Sequence, residues 1–162
     1  MNYSLLLFHF LFLPFTACKS DGNAPQKPVV STFLSMKING VEWKATSEIT
    51  GSLGVLQAKQ FVLGGTATPG TREQNMNILL EDVTGPGTYT TSASATYNVA
   101  QYADVDTNGD IAMYKSQRDG LFTITITRCT GTITEGTFSG SLPPMLGTTE
   151  TIVITDGKFS TL

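Results

Sequence analysis

Nine residues in the last third of the chain constrain its fold more than any others. From Leu121 to Cys129 the sequence reads LFTITITRC, with Phe122, Ile124 and Ile126 at alternate positions and Thr123, Thr125 and Thr127 between them. Successive side chains of a strand point to opposite faces, so this spacing makes one face apolar and the other hydroxyl-bearing. A helix would scatter the same residues around its circumference. Such a strand must lay its apolar face against something, and the rest of the chain offers more strands.

The clearest of these is an N-terminal hairpin. Asn39-Gly40 can supply the two positive-φ residues of a two-residue type I′ turn. That turn pairs Ile38 with Val41, Lys37 with Glu42, and Met36 with Trp43. Met36 and Trp43 then share one face, while Lys37 and Glu42 oppose each other on the other. Further strands are expected at Gln57 to Thr66, Met76 to Val83, Thr88 to Thr90, Ile133 to Leu142 and Thr151 to Thr155. A change of phase near Gly136 points to a bulge, and Asp156-Gly157 turns or bulges the chain before Phe159.

Composition agrees. The 162 residues include 25 Thr and 16 Gly, one suited to half-exposed strands and the other to turns. No segment sustains a 3.6-residue period. The expected fold is all-β: a single antiparallel domain over residues 33–162, a sandwich or a barrel-like (calycin-like) sheet. Closure into a barrel is slightly favoured because it removes exposed edges.

The N-terminus reads differently. Leu5 to Leu13 form the apolar run LLLFHFLFL. Nine helical residues rise about 14 Å, against a hydrocarbon core of roughly 30 Å, so a signal-peptide h-region is the better reading than a spanning helix. Thr16, Ala17 and Cys18 follow and resemble the lipobox of bacterial lipoproteins, with Phe15 where leucine is usual. The resemblance implies a signal peptide at 1–17 and a lipidated Cys18. The alternative is ordinary secretory cleavage near Ala17. Residues 18–32, with Pro25, Pro28 and Gly22, carry little apolar material and read as a flexible tether, whose 14 residues after the cysteine span at most about 46–50 Å.

Two groups of residues in the domain carry a family likeness. Met36-Lys37-Ile38-Asn39-Gly40 with Trp43-Lys44-Ala45, and later Glu135 to Gly140 with Ile154 to Phe159, are similar to segments of a family of Bacteroidota envelope lipoproteins of unassigned function. The likeness spans most of the domain and rests on turn and core residues. It implies a β-rich protein of the cell envelope, anchored by lipid to the outer membrane on its periplasmic or its surface side. No catalytic residue comes with it.

The chemistry that is missing is informative. The single histidine, His9, lies in the signal peptide, so Ser-His-Asp and Cys-His hydrolysis and His-based metal catalysis are excluded from the processed domain. Glu81 and Asp82 are adjacent on an expected strand and would face opposite sides, which is wrong for a paired acid and base. Charged residues make up 14% with a net charge of -3, and no basic block exists to neutralise phosphates, so nucleic acid is not an expected partner. Cys129 would be left without an intramolecular partner and is expected to sit against the core as a small hydrophobe.

Two groups of candidate site residues remain. Asp104, Asp106, Asn108 and Asp110 place oxygen side chains at alternate positions around Gly109, which resembles the first half of an EF-hand loop and could wrap a Ca²⁺ ion. The twelfth position is Lys115 rather than a closing Glu, and the competing reading is a polar hairpin loop. Tyr89, Tyr97, Tyr102 and Tyr114 cluster in the middle of the chain and could form a rim that stacks on a sugar or an apolar ligand. No cofactor is expected apart from that ion. Three function classes follow: a non-catalytic binder of a small apolar or glycan ligand, an interaction or structural lipoprotein meeting another envelope protein, and, weakest, a carboxylate-only enzyme. An apolar cavity would mark the first, a filled interior with an exposed apolar patch the second.

Overall fold

The computed structural model describes residues 31–53, 59–91, 98–116, 122–130 and 132–162. Tyr97 and residues 1–30, which include Cys18, the expected signal peptide and most of the expected tether, lie outside them. Twelve strands succeed one another among the described residues: β1 (Phe33–Ile38), β2 (Val41–Lys44), β3 (Ser47–Leu53), β4 (Phe61–Ala67), β5 (Arg72–Leu80), β6 (Gly87–Thr90), β7 (Val99–Asp106), β8 (Ile111–Lys115), β9 (Phe122–Cys129), β10 (Thr134–Leu142), β11 (Pro144–Leu146) and β12 (Ile152–Thr161). They form two antiparallel sheets, ordered β2-β1-β12-β10-β9-β6 and β11-β8-β7-β5-β4-β3.

The first hairpin has the expected register: Met36 opposes Trp43, Lys37 opposes Glu42 and Ile38 opposes Val41. Asn39 and Gly40 take φ of 49° and 83°, the conformation a type I′ turn demands. Met36 and Trp43 are buried, and the alternation in β9 buries Phe122, Ile124 and Ile126. The register shifts between Glu135 and Gly136, but the extra residue is Thr127 of β9, and β10 keeps its alternation from Thr134 to Phe138 instead of changing phase at Gly136. Asp156-Gly157 bulges rather than turns: Ser35 opposes Lys158 and Lys37 opposes Thr155, so two residues of β12 face Met36 alone, and the strand continues to Thr161.

Phenylalanine rings join the two sheets. Phe61 of the second sheet meets Phe159 of the first at 5.5 Å between ring centroids, Phe159 meets Phe138 at 6.4 Å, and Phe138 meets Phe122 at 5.9 Å. All four are buried, each contributing roughly 1.5–3 kcal/mol through its removal from water. Cys129 is half-buried against this core.

The lean towards a barrel is corrected: the two sheets do not close on each other. On one side the chain does pass from sheet to sheet without a break. Ala45 N–H donates to Leu34 of β1, and the next residue, Thr46, donates to Thr66 of β4. On the other side, no ladder joins β6 to β11 among the described residues. The physical reason is that these edges are too short to form a seam. β6 has four residues, while β11 has three, begins at a proline that cannot donate, and bulges at Met145.

Candidate functional site

The β7–β8 hairpin is where most of the candidate residues meet. Its loop is held by Asp106, whose Oδ1 accepts from the backbone N–H of Asn108 at 2.8 Å and of Asp110 at 3.1 Å. Main-chain bonds from Asp106 to Asp110 and from Gly109 to Asp106 close the turn, with Gly109 at φ 87°. Asp104 is engaged elsewhere. It accepts from Arg72 Nε at 2.7 Å and from Gln74 Nε2 at 3.2 Å, both on β5. The four oxygen-bearing residues therefore serve a turn and a cross-strand ion pair. Among the described residues, no group of three or more His, Cys, Asp or Glu side chains is placed to hold a metal ion.

Among the described residues, Tyr89, Tyr102 and Tyr114 do not form an outward rim. Tyr102 is 3% exposed and lies on the inner face, in phase with Ala100, and Tyr114 opposes it with ring centroids 6.0 Å apart. Burial pushes the Tyr102 phenol well above its ordinary range, and the neighbouring Asp104 carboxylate adds to this. Tyr89 is half-buried on the edge strand β6, and its hydroxyl donates to the Gly85 carbonyl at 2.7 Å. Glu81 and Asp82 are not on a strand: β5 ends at Leu80, and Asp82 takes φ 57°, which breaks the ladder.

The outer faces of the two sheets differ sharply. On the first sheet, outward positions carry Ser35, Lys37, Thr123, Thr125, Thr137, Ser139 and Lys158, with Val153 an exposed apolar exception. On the second, pairing aligns Leu146 with Met113 and Met113 with Ala103, while Ile111 aligns with Val105. These five point away from the buried Tyr102 side, because alternate residues of a strand share a face. Ile111 and Leu146 are exposed and the others half-buried, giving a contiguous apolar patch across β11, β8 and β7. A second apolar row, Val62 with Leu79 and Val99, crosses β4, β5 and β7, with Asn77 and Gln101 between the two.

Beside the patch lies a groove of about 380 Å³ between the β4–β5 turn and the β7–β8 hairpin. Arg72, Glu73 and Asp106 line it, with the hydroxyl-bearing Thr68, Thr71 and Thr107. None of Arg72, Gln74, Ile111, Met113 or Leu146 was singled out by the sequence. Alternation of Ala103 with Val105, and of Ile111 with Met113, on either side of Asn108-Gly109 was the available signal for the patch. Compared with known proteins, the chain matches no family model, no curated protein and no solved structure.

Two carboxylates give the domain an acid sensitivity. The backbone N–H of Asp110, then that of Asn108, holds Asp106 below the usual carboxylate range, and the Lys37 ammonium at 2.8 Å does the same for Asp156. A depressed folded value means that stability is present above the unfolded carboxylate value of about 3.9 and is lost as pH falls through the folded one. Melting temperature is therefore expected to fall below about pH 4, and to fall less steeply in the Asp106→Ser/Asp156→Ser double variant. Melts followed by circular dichroism across that range check this; parallel acid profiles for variant and wild type would count against it.

Proposed function

We propose that this chain is a lipid-anchored protein of the bacterial cell envelope, attached through Cys18, whose sandwich is a non-catalytic docking module for another envelope protein. The apolar patch of Leu146, Met113, Ala103, Ile111 and Val105 on the outer face of the second sheet carries this reading. A sandwich's outward positions are ordinarily polar, as most are on the first sheet apart from the single Val153, and a contiguous apolar group there is what a partner surface covers. A small apolar ligand is the poorer reading, because phenylalanine rings occupy the space between the sheets. The lack of histidine after residue 9 favours a non-catalytic role.

The test is a photo-crosslinking residue at Met113 in the full chain, expressed in an envelope-bearing host. A discrete adduct is expected, reduced at least about tenfold by Leu146→Lys, since an ammonium pressed unpaired into an apolar contact costs several kcal/mol. The same probe at Thr125, on the first sheet, is expected to give none. Equal crosslinking from both positions would sink the docking face. Cys18→Ala is expected to move the chain from the membrane pellet to the soluble fraction, which tests the anchor separately.

A further inference from the structure

We propose that the groove between the β4–β5 turn and the β7–β8 hairpin is a binding site for a neutral, hydroxyl-rich ligand, a glycan, held by Arg72, Asp106 and the threonines beside them. This site is separate from the docking face, although Val105 borders both, and its argument does not depend on that face.

The first support is that both charged groups are fixed in place. Arg72 is tied through Nε to Asp104, whose other oxygen accepts from Gln74, so the guanidinium cannot swing away. No other hydrogen bond occupies the guanidinium among the described residues, and its terminal nitrogens remain to donate. Asp106, which lines the groove, is tied through Oδ1 to two loop amides and is also bonded by the Asn108 side chain, so its carboxylate is held in place. The walls themselves are closed by main-chain bonds, Arg72 N–H to Pro69 on one side and Gly109 N–H to Asp106 on the other. Groups already held in place lose little freedom when a ligand arrives.

The second support is the kind of ligand that this lining can satisfy. Thr68, Thr71 and Thr107 each donate and accept, so the groove offers fixed donors, fixed acceptors and adaptable hydroxyls within one small volume. A sugar presents the complementary set, with every hydroxyl able to do both. The volume falls in the lower part of the range for small-molecule sites, roughly 300–1,000 Å³. Charge argues against the other classes. One guanidinium stands among the carboxylates of Asp104, Asp106 and Glu73, so an anion meets net repulsion, while among the described residues no three His, Cys, Asp or Glu side chains are placed to hold a metal cation. Apolar ligands would strand the polar lining without partners.

The test uses the full chain in detergent on an array of neutral oligosaccharides, with sulfated and sialylated glycans beside them. Retention of neutral glycans is expected. Thr71→Trp fills the groove from an exposed turn position without removing any bond that supports Arg72 or Asp106, and is expected to lower retention at least tenfold. Thr137→Trp, on the outer face of the first sheet, is expected to leave it unchanged. Thr107→Val, which swaps one hydroxyl for a methyl, should give a smaller drop at an unchanged melting temperature, and covers the case in which Thr71→Trp misfolds. Retention of charged glycans alone, retention of none, or retention indifferent to both threonine variants would overturn the proposal.

Discussion

Replacing Phe159 by alanine is expected to cost about 4 kcal/mol of folding stability, the upper part of what a buried aromatic ring contributes. Phe159 is 1% exposed and stands where the sheets meet, against Phe61 of the opposite sheet and Phe138 of its own. Removing it leaves a cavity that rigid strands on both sides cannot collapse into. For a domain whose total stability is of the order of 5–15 kcal/mol, this is a large fraction, and the melting temperature should drop by about 15 °C. Urea unfolding of wild type and variant measures it. A cost below about 2 kcal/mol would mean that the ring does not wedge the sheets together.

Gly136→Ala is expected to cost about 3 kcal/mol although it adds a single methyl group. The added Cβ would collide with the Thr125 carbonyl oxygen of β9 and would lie 2.7 Å from the Phe159 ring. The ring could shift, but the carbonyl belongs to a paired strand and cannot move without breaking the ladder. The bulge at Thr127 of β9, opposite Glu135 and Gly136, brings the two backbones this close, so glycine is required for space rather than for dihedral freedom. Because the second clash involves Phe159, combining Gly136→Ala with Phe159→Leu should be less than additive, which a double-mutant cycle reads directly. Full additivity would show that the methyl group never meets the ring.

What the sequence made legible was local. The Asn39-Gly40 hairpin and the alternation of Phe122, Ile124 and Ile126 in β9 each depend on residues within a few positions of one another. Sandwich against barrel could not be read, because it depends on how long the sheet edges run, and Pro143-Pro144 limits β11 only once the chain is known to cross between sheets after β10. Val99 to Asp106 reads VAQYADVD, without clean polarity, so β7 was missed and its tyrosine was taken for a rim residue instead of core. Asp104 looked like an ion ligand because its partner, Arg72, lies 32 residues away in sequence. Lys37 was matched with Glu42, at 3.9 Å, whereas its nearer partner is Asp156 in a bulge 119 positions along. Polar residues near a turn read alike in sequence whether they grip an ion, a backbone or one another.

The place of β12 has a consequence for when the protein can fold. The latest of the twelve strands lies in the middle of the first sheet, between β1 and β10, and contributes Ile152, Ile154 and Phe159 to the core. Until it emerges, the opening hairpin and the β9–β10 pair are two fragments with an empty slot between them. Contacts this distant along the chain are slow to form, so a growing polypeptide stays open for most of its synthesis. For the exported protein proposed above, a keystone strand this late in the chain keeps the polypeptide uncollapsed while it is threaded through a membrane.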